Sequence, residues 1–152
     1  MNIRVQRDDF DISQEIRVLH GGNPQVGAVS TFVGLVRTDG SEGVVQAMTL
    51  EHYPGMTEKS LNEIAIEAKR RWSLYAVSII HRVGELRPAE QIVFVGVAAT
   101  HRGEAFAACE FIVDYLKTQA PFWKKEQSNE GSRWVAARDA DENAAARWSK
   151  DL

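Results

Sequence analysis

The spacing of hydrophobic and polar positions changes several times along the chain, and each change marks an element. Residues 2–6 alternate as Asn-Ile-Arg-Val-Gln, which predicts a short strand. Asp11 followed by Gln14 has the form of a helix start. Ile12, Ile16 and Leu19 then share one face until Gly21-Gly22 and Pro24 end the helix. From Val26 to Val36 small and β-branched residues dominate, predicting a long buried strand. Residues 37–43, RTDGSEG, form a polar loop, and Val44 to Glu51 returns as a strand. Thr57 opens the clearest helix, with Leu61, Ile64, Ala65, Ala68 and Trp72 at helical spacing. Residues 75–83 and 91–99 are apolar strands joined by a turn around Glu85 to Glu90. Thr100 is expected to cap a second long helix from about 102 to 119, with a stripe of Phe106, Cys109, Ile112, Val113 and Leu116. Pro121 stops it. Residues 122–127 and 133–137 predict a hairpin around Asn129-Glu130-Gly131, and 139–149 a short polar helix or a frayed end.

Strands outnumber helices and do not alternate with them regularly. The pattern therefore predicts an α+β fold with a mostly antiparallel sheet, not a doubly wound parallel one. The 152 residues fit one domain spanning 1–152. The apolar runs fall well short of the roughly 18 residues of a membrane-spanning helix. The start, MNIRVQRDDF, has no apolar signal-peptide core, so a cytoplasmic protein is expected. The single cysteine, Cys109, excludes an intrachain disulfide and a cysteine-based metal site within one chain. Its place on an apolar stripe makes it a packing residue.

Charge narrows the chemistry. Eighteen Lys and Arg against 21 Asp and Glu leave a net charge of −3, which does not favour coating nucleic acid or an anionic membrane. Any anion site must be a local cluster. Phosphate-loop, dinucleotide-binding and nucleophile-elbow motifs are missing. His20, His52, His81 and His101 form no HxH or HxxxH pair, so no metal is expected. Thr100-His101-Arg102-Gly103 sits where a buried strand hands over to a helix start, whose free N–H groups favour an anion. Lys117 lies in that helix's last turn, where a cation suits the dipole. Lys124 and Lys125 lie on a strand and so point to opposite faces. If the strand has a buried face, one of them points inward or along a cleft, where partial desolvation lowers its pKa and fits it for base or nucleophile chemistry. The same pair also reads as solvated lysines guarding a sheet edge. Arg37 and Arg138 each follow a strand, and Phe122 and Trp123 can floor a flat ring.

Four segments carry a family likeness: LEHYPGMTEKSL (50–61), IHRVGEL (80–86), IVFVGVAATHR (92–102) and DYLKTQAPFWKKE (114–126). With VGLVR (33–37) and RWVAARDAD (133–141) in the expected order, they resemble the large, catalytic subunit of molybdopterin synthase. The likeness runs from about Val26 to Trp148. It implies an α/β hammerhead fold with an additional antiparallel β subdomain. It implies a sulfurtransferase of molybdenum cofactor biosynthesis that installs two dithiolene sulfurs on cyclic pyranopterin monophosphate, making molybdopterin. The sulfur comes as a thiocarboxylate on the C-terminal Gly-Gly tail of a small ubiquitin-like partner subunit. Two large subunits form a homodimer with a small subunit at each end, a heterotetramer. No cofactor, metal, nucleic acid or membrane is implied.

By the same resemblance, substrate-binding positions fall on Leu35, Val36, Arg37, His101, Arg102, Lys117, Lys124, Lys125 and Glu126, with Lys117 and Lys124 as the catalytic lysines. Arg138, read as a strand-end cation, joins them from its own or the dimer-mate subunit. A flat pterin with a cyclic phosphate needs cations and a surface, and Arg37, His101 and Arg102 are expected to share the phosphate. With Cys109 assigned to packing, the sulfur must come from outside. A phosphate-ester enzyme and a non-catalytic anion-binding module are the alternative uses of such a basic pocket.

Overall fold

The computed structural model describes residues 1–39, 44–129, 131–135 and 139–151. In chain order the elements are β1 (Asn2–Gln6), α1 (Ile12–His20), β2 (Ala28–Leu35), β3 (Val45–His52), α2 (Met56–Arg71), β4 (Leu74–Arg82), β5 (Gly84–Leu86), β6 (Gln91–Ala99), α3 (Arg102–Gln119), β7 (Phe122–Ser128), β8 (Gly131–Val135) and α4 (Asp139–Ala146). A 3₁₀ turn follows over Arg147–Asp151. The strands form two four-stranded sheets, ordered β1-β4-β6-β2 and β5-β3-β7-β8. Among the described residues β1 with β4 is the one parallel pairing between named strands. The α+β expectation holds. No helix among the described residues is long and apolar enough to cross a membrane.

The first sheet is covered on both faces. Val77, Ile79, Val93, Val95 and Val97 meet Leu61, Ile64, Ala65 and Ala68 of α2 and Ala108, Phe111, Ile112 and Leu116 of α3. Ile80 and Phe94 point the other way, against Phe10 and the Ile12 and Ile16 stripe of α1. Burial on both sides explains why β4 and β6 are almost continuously apolar. Each large side chain so buried contributes about 1.5–3 kcal/mol. The second sheet has one small core of Val36, Val45, Met48, Leu50 and Leu86. Its other face carries the exposed Trp123 and Trp134.

Topology gathers particular strand ends. β2 and β4 both run antiparallel to β6, so their last residues lie together beside the start of β6. Leu35 pairs with Gln91 and His81 with Val93. Only two residues separate β6 from α3, which packs back along β6 and β2. The end of α3 therefore reaches the same end of the sheet, and β7 leaves from there into the second sheet. At the opposite end, Gly27 donates its N–H to the Ala99 carbonyl at 3.0 Å. A Cβ on Gly27 would lie 2.3 Å from the Thr100 carbonyl oxygen.

Several local expectations change. The turn between the two apolar strands contains β5, which pairs with β3 through Met48–Leu86 to Leu50–Gly84. Three residues are too few to show a period. α2 starts at Met56 with Gly55 as its cap, and Glu58 accepts from the Gly55 N–H at 3.1 Å. Thr57 lies inside the first turn and is fully buried. α3 is capped by His101, not Thr100, whose hydroxyl instead donates to the Tyr75 hydroxyl at 3.3 Å. Phe106 leaves the predicted stripe and is 64% exposed, while Ala105, Ala108 and Phe111 are buried. The tail is a docked helix: the Trp148 indole donates to Asp114 at 2.7 Å and packs on Trp72 and Phe111.

A lysine cleft where the two sheets meet

The strand β7 pairs with β3 so that Lys124 stands opposite Leu50 and Glu126 opposite Met48, two residues of the small core. Lys124 thus lies on the inward face of the second sheet and is half-buried. Lys125 takes the outward face, with its Nζ 5.7 Å from the centre of the Trp134 ring. The strand parity expected of the pair is met, and the structure selects Lys124 as the inward one.

Burial pushes the Lys124 amine below the usual lysine range, and the nearby Lys117 pushes it further. Glu126 and Asp141 oppose this, and Arg37 adds to it. These influences place Lys117, Arg37, Glu126 and Asp141 around one amine. Lys117 comes from the exposed last turn of α3, seven positions earlier in the chain. Arg37 comes from the exposed end of β2. Asp141 comes from α4. A lysine with a lowered pKa can take a proton, and a second cationic side chain beside it can stabilise an anion.

His81 ends the inward face of β4, in line with Val77 and Ile79. It is 6% exposed and stacks on Phe122, with ring centroids 3.8 Å apart and planes 19° from parallel. Its Nδ1 lies 2.8 Å from the Arg82 carbonyl oxygen. A carbonyl only accepts, so Nδ1 carries the hydrogen. Burial pushes the His81 pKa down to about 4, against that hydrogen bond and with help from Lys117, Lys124 and His52. At neutral pH the ring adds no charge to the cleft.

The remaining expected positions divide. Leu35 is 51% exposed beside Arg37. Val36 is 3% exposed within the small core, its N–H bonded to the Glu90 carbonyl and its carbonyl to the Ala89 N–H. It supports the strand end from beneath. His101 and Arg102 are exposed at the start of α3. At 1.5 Å per residue, they stand about 22 Å along the helix from Lys117. One chain therefore gathers Arg37, Lys117, Lys124 and Glu126 but keeps His101 and Arg102 at the other end. Arg138 lies outside the described residues.

Sequence reasoning passed over His81, His52 and Asp141. A signal existed for His81, since a lone polar ring closes an otherwise apolar alternation. Cys109 is buried with its thiol pKa pushed up by desolvation, as a packing residue requires. No group of three His, Cys, Asp or Glu among the described residues could hold a metal ion.

Two sheets meeting at a cleft lined by Lys117 and Lys124 define an α+β protein with a candidate site of paired amines. A model of the MoaE protein family matches residues 5–119, and the chain belongs to that family. It is 60% identical over 146 residues to a molybdopterin synthase catalytic subunit of Ralstonia nicotianae, covering 96% of this chain and 83% of that protein. To the molybdopterin synthase catalytic subunit of Pseudomonas aeruginosa it is 57% identical over 152 residues, covering 99% and 100%. The solved molybdopterin biosynthesis MoaE protein of Burkholderia ambifaria matches with a TM-score of 0.84 at 57% identity, covering 97% of each chain.

Proposed function

We propose that this chain is the catalytic subunit of a molybdopterin synthase working in the cytoplasm. It moves sulfur from the C-terminal thiocarboxylate of a small ubiquitin-like partner onto cyclic pyranopterin monophosphate, forming the dithiolene of molybdopterin. The observation that carries this reading is the half-buried Lys124 amine, with its lowered pKa, beside Lys117 and Arg37.

Lys117 and Lys124 act at the reacting carbons. Release of sulfur from the partner's acyl carbon passes through a tetrahedral oxyanion, which a lysine ammonium stabilises. The amine of lowered pKa takes the proton from the attacking water, and the partner leaves as a carboxylate while the sulfur stays on the pterin. Arg37 holds the phosphate end by paired hydrogen bonds. Leu35 and the Val36 backbone border the pterin, and Glu126 tunes Lys124. Lys125, on the outward face, lies away from this cleft. His101 and Arg102 reach the same phosphate only from a second copy, because α3 holds them about 22 Å from Lys117 in their own chain. A homodimer with two-fold symmetry supplies that copy twice. The exposed Trp123, Trp134 and Phe106 offer apolar surface for such assembly and for the small subunits.

The test is reconstitution with a thiocarboxylated partner and the cyclic pterin, reading dithiolene product. Mixing Lys124→Ala with Arg102→Ala should restore about a quarter of wild-type activity, since one site in each mixed dimer is intact. Absence of product from the wild-type mixture overturns the reading, and failure to complement overturns the shared site.

A further inference from the structure

Resting on that reading, we propose that His81 is a positioning residue for the two lysines: stacked on Phe122 and anchored to the Arg82 carbonyl, it holds the start of β7 so that Lys124 keeps a set reach from Lys117. The two lysines belong to different bodies. Lys117 rides on α3, packed against the first sheet, and Lys124 on β7 of the second. Ala120 and Pro121 alone join them. Something must fix the second sheet against the first, or the lysine spacing would follow every rocking motion between them.

Two contacts close on this link. The buried Thr57 hydroxyl donates to the Pro121 carbonyl at 3.0 Å and accepts from the Tyr53 N–H at 3.1 Å. It thereby ties the link to the end of β3 and the first turn of α2. His81 clamps the next residue from the side of β4. Its backbone is fixed by pairing with Val93, and its ring plane by the bond to Arg82. Arg82 is itself held by the Arg7 and Gln91 carbonyls, at 3.0 and 2.9 Å. The groups facing the ring are Lys117 from α3, Lys124 from β7 and His52 from β3. A neutral ring can be stacked tightly there without repelling the lysines it places. Small displacements of reacting groups cost large factors in rate, which gives a remote clamp its leverage.

The experiment uses the full chain as wild type, His81→Asn, Phe122→Leu and Phe122→Tyr. Asparagine keeps a donor for the Arg82 carbonyl but loses the stack. Leucine breaks the stack from the half-buried side, and tyrosine keeps it. The pH dependence of lysine acylation is followed by mass spectrometry, with Lys125 as internal reference. In the wild type Lys124 should titrate below the usual lysine range. His81→Asn and Phe122→Leu should raise the Lys124 midpoint toward the usual lysine range, while Phe122→Tyr leaves it in place. In the reconstituted reaction the first two should lower kcat about tenfold with KM within about twofold, and Phe122→Tyr should match wild type. Folded His81→Asn and Phe122→Leu proteins that keep both the Lys124 midpoint and the wild-type kcat would overturn the inference. A wild type with no sulfur transfer overturns the proposed function instead, and acylation alone then decides His81.

Discussion

The two sheets solve opposite problems. The first is buried on both faces, and β4 and β6 have almost no exposed residue beyond their first turns of chain. The second buries one face on five core residues and leaves indole rings on the other. Burial is therefore concentrated in the first sheet, and the candidate lysines lie in the thinner one and along their seam. A half-covered sheet can give a lysine partial burial, enough to depress its pKa without the full cost of enclosing a charge. The deep core of the first sheet offers no such intermediate position.

This contrast can be broken most directly at the lysines. Lys117→Ala and Lys124→Ala should each lower sulfur transfer by a factor on the order of 10²–10⁴ in single turnover. Their stability should change by only about 0.5 kcal/mol. Near-normal product from either purified variant would remove it from the chemistry. Next comes truncation in the deep core. Phe111→Ala should cost about 3–5 kcal/mol in urea unfolding, because Phe111 is fully buried under Trp72, Tyr115 and Trp148. Trp134→Ala, at 54% exposure on the second sheet, should stay within about 0.5 kcal/mol in the isolated subunit. Equal losses would erase the distinction between the sheets.

The seam has its own signature in pH. The folded His81 pKa is about 4, below the 6.5 of a free histidine. Above pH 6.5 the ring is neutral in both states and costs nothing. As pH falls toward 4 the unfolded chain takes the proton first, so stability drops, by about 3 kcal/mol across the window. Urea unfolding of His81→Asn between pH 7 and 4 should lack that portion of the decline, and an unchanged slope would contradict the burial of the neutral ring. A smaller effect is expected at the far end of α3. Arg102→Ala should weaken binding of the cyclic pterin about tenfold to hundredfold by titration, leaving the partner's tail bound. The smallest concerns Cys109. Cys109→Ala should keep sulfur transfer and lose about 1 kcal/mol of stability. A persulfide on Cys109 during turnover would reverse the assignment of sulfur to the partner.

Local periodicity carried most of the elements. Asp11 caps α1 through its bond to Gln14, at 3.1 Å, as its spacing indicates. The apolar runs of β4 and β6 and the span of α3 were equally readable. What escaped depends on contacts distant in the chain. The split into two sheets rests on β3 pairing with β7 across about seventy residues, which no local pattern encodes. Phe106 fits the helical spacing, but the buried face of α3 runs through Ala105, Ala108, Cys109 and Ile112 and leaves Phe106 beside it. Thr57 looks like a cap, and its role emerges only when Pro121 arrives 64 residues later. Among the site residues, the cations at element ends were legible one by one. Their grouping was not, since Arg37 joins the lysines through strand direction and Arg102 is held away by helix length. His81 was read by its lack of a paired histidine, a test suited to metal ligands and blind to a stacked neutral ring.

Gly27 carries a consequence for reading mutational scans. It is exposed by area and remote from the lysine cleft, so a tolerance map would be expected to show it as free. Yet the smallest possible side chain there meets a backbone carbonyl, not a movable group, and that carbonyl directly precedes His101. Alanine at this position would have to shift the approach to α3, displacing His101 and Arg102, which on the proposed dimer reading serve the neighbouring copy. The injury would arise in one polypeptide and be felt in the pocket of another. Complementation by a chain lacking Lys124, not dominance, would be its genetic trace, because each such mixed dimer keeps one intact site.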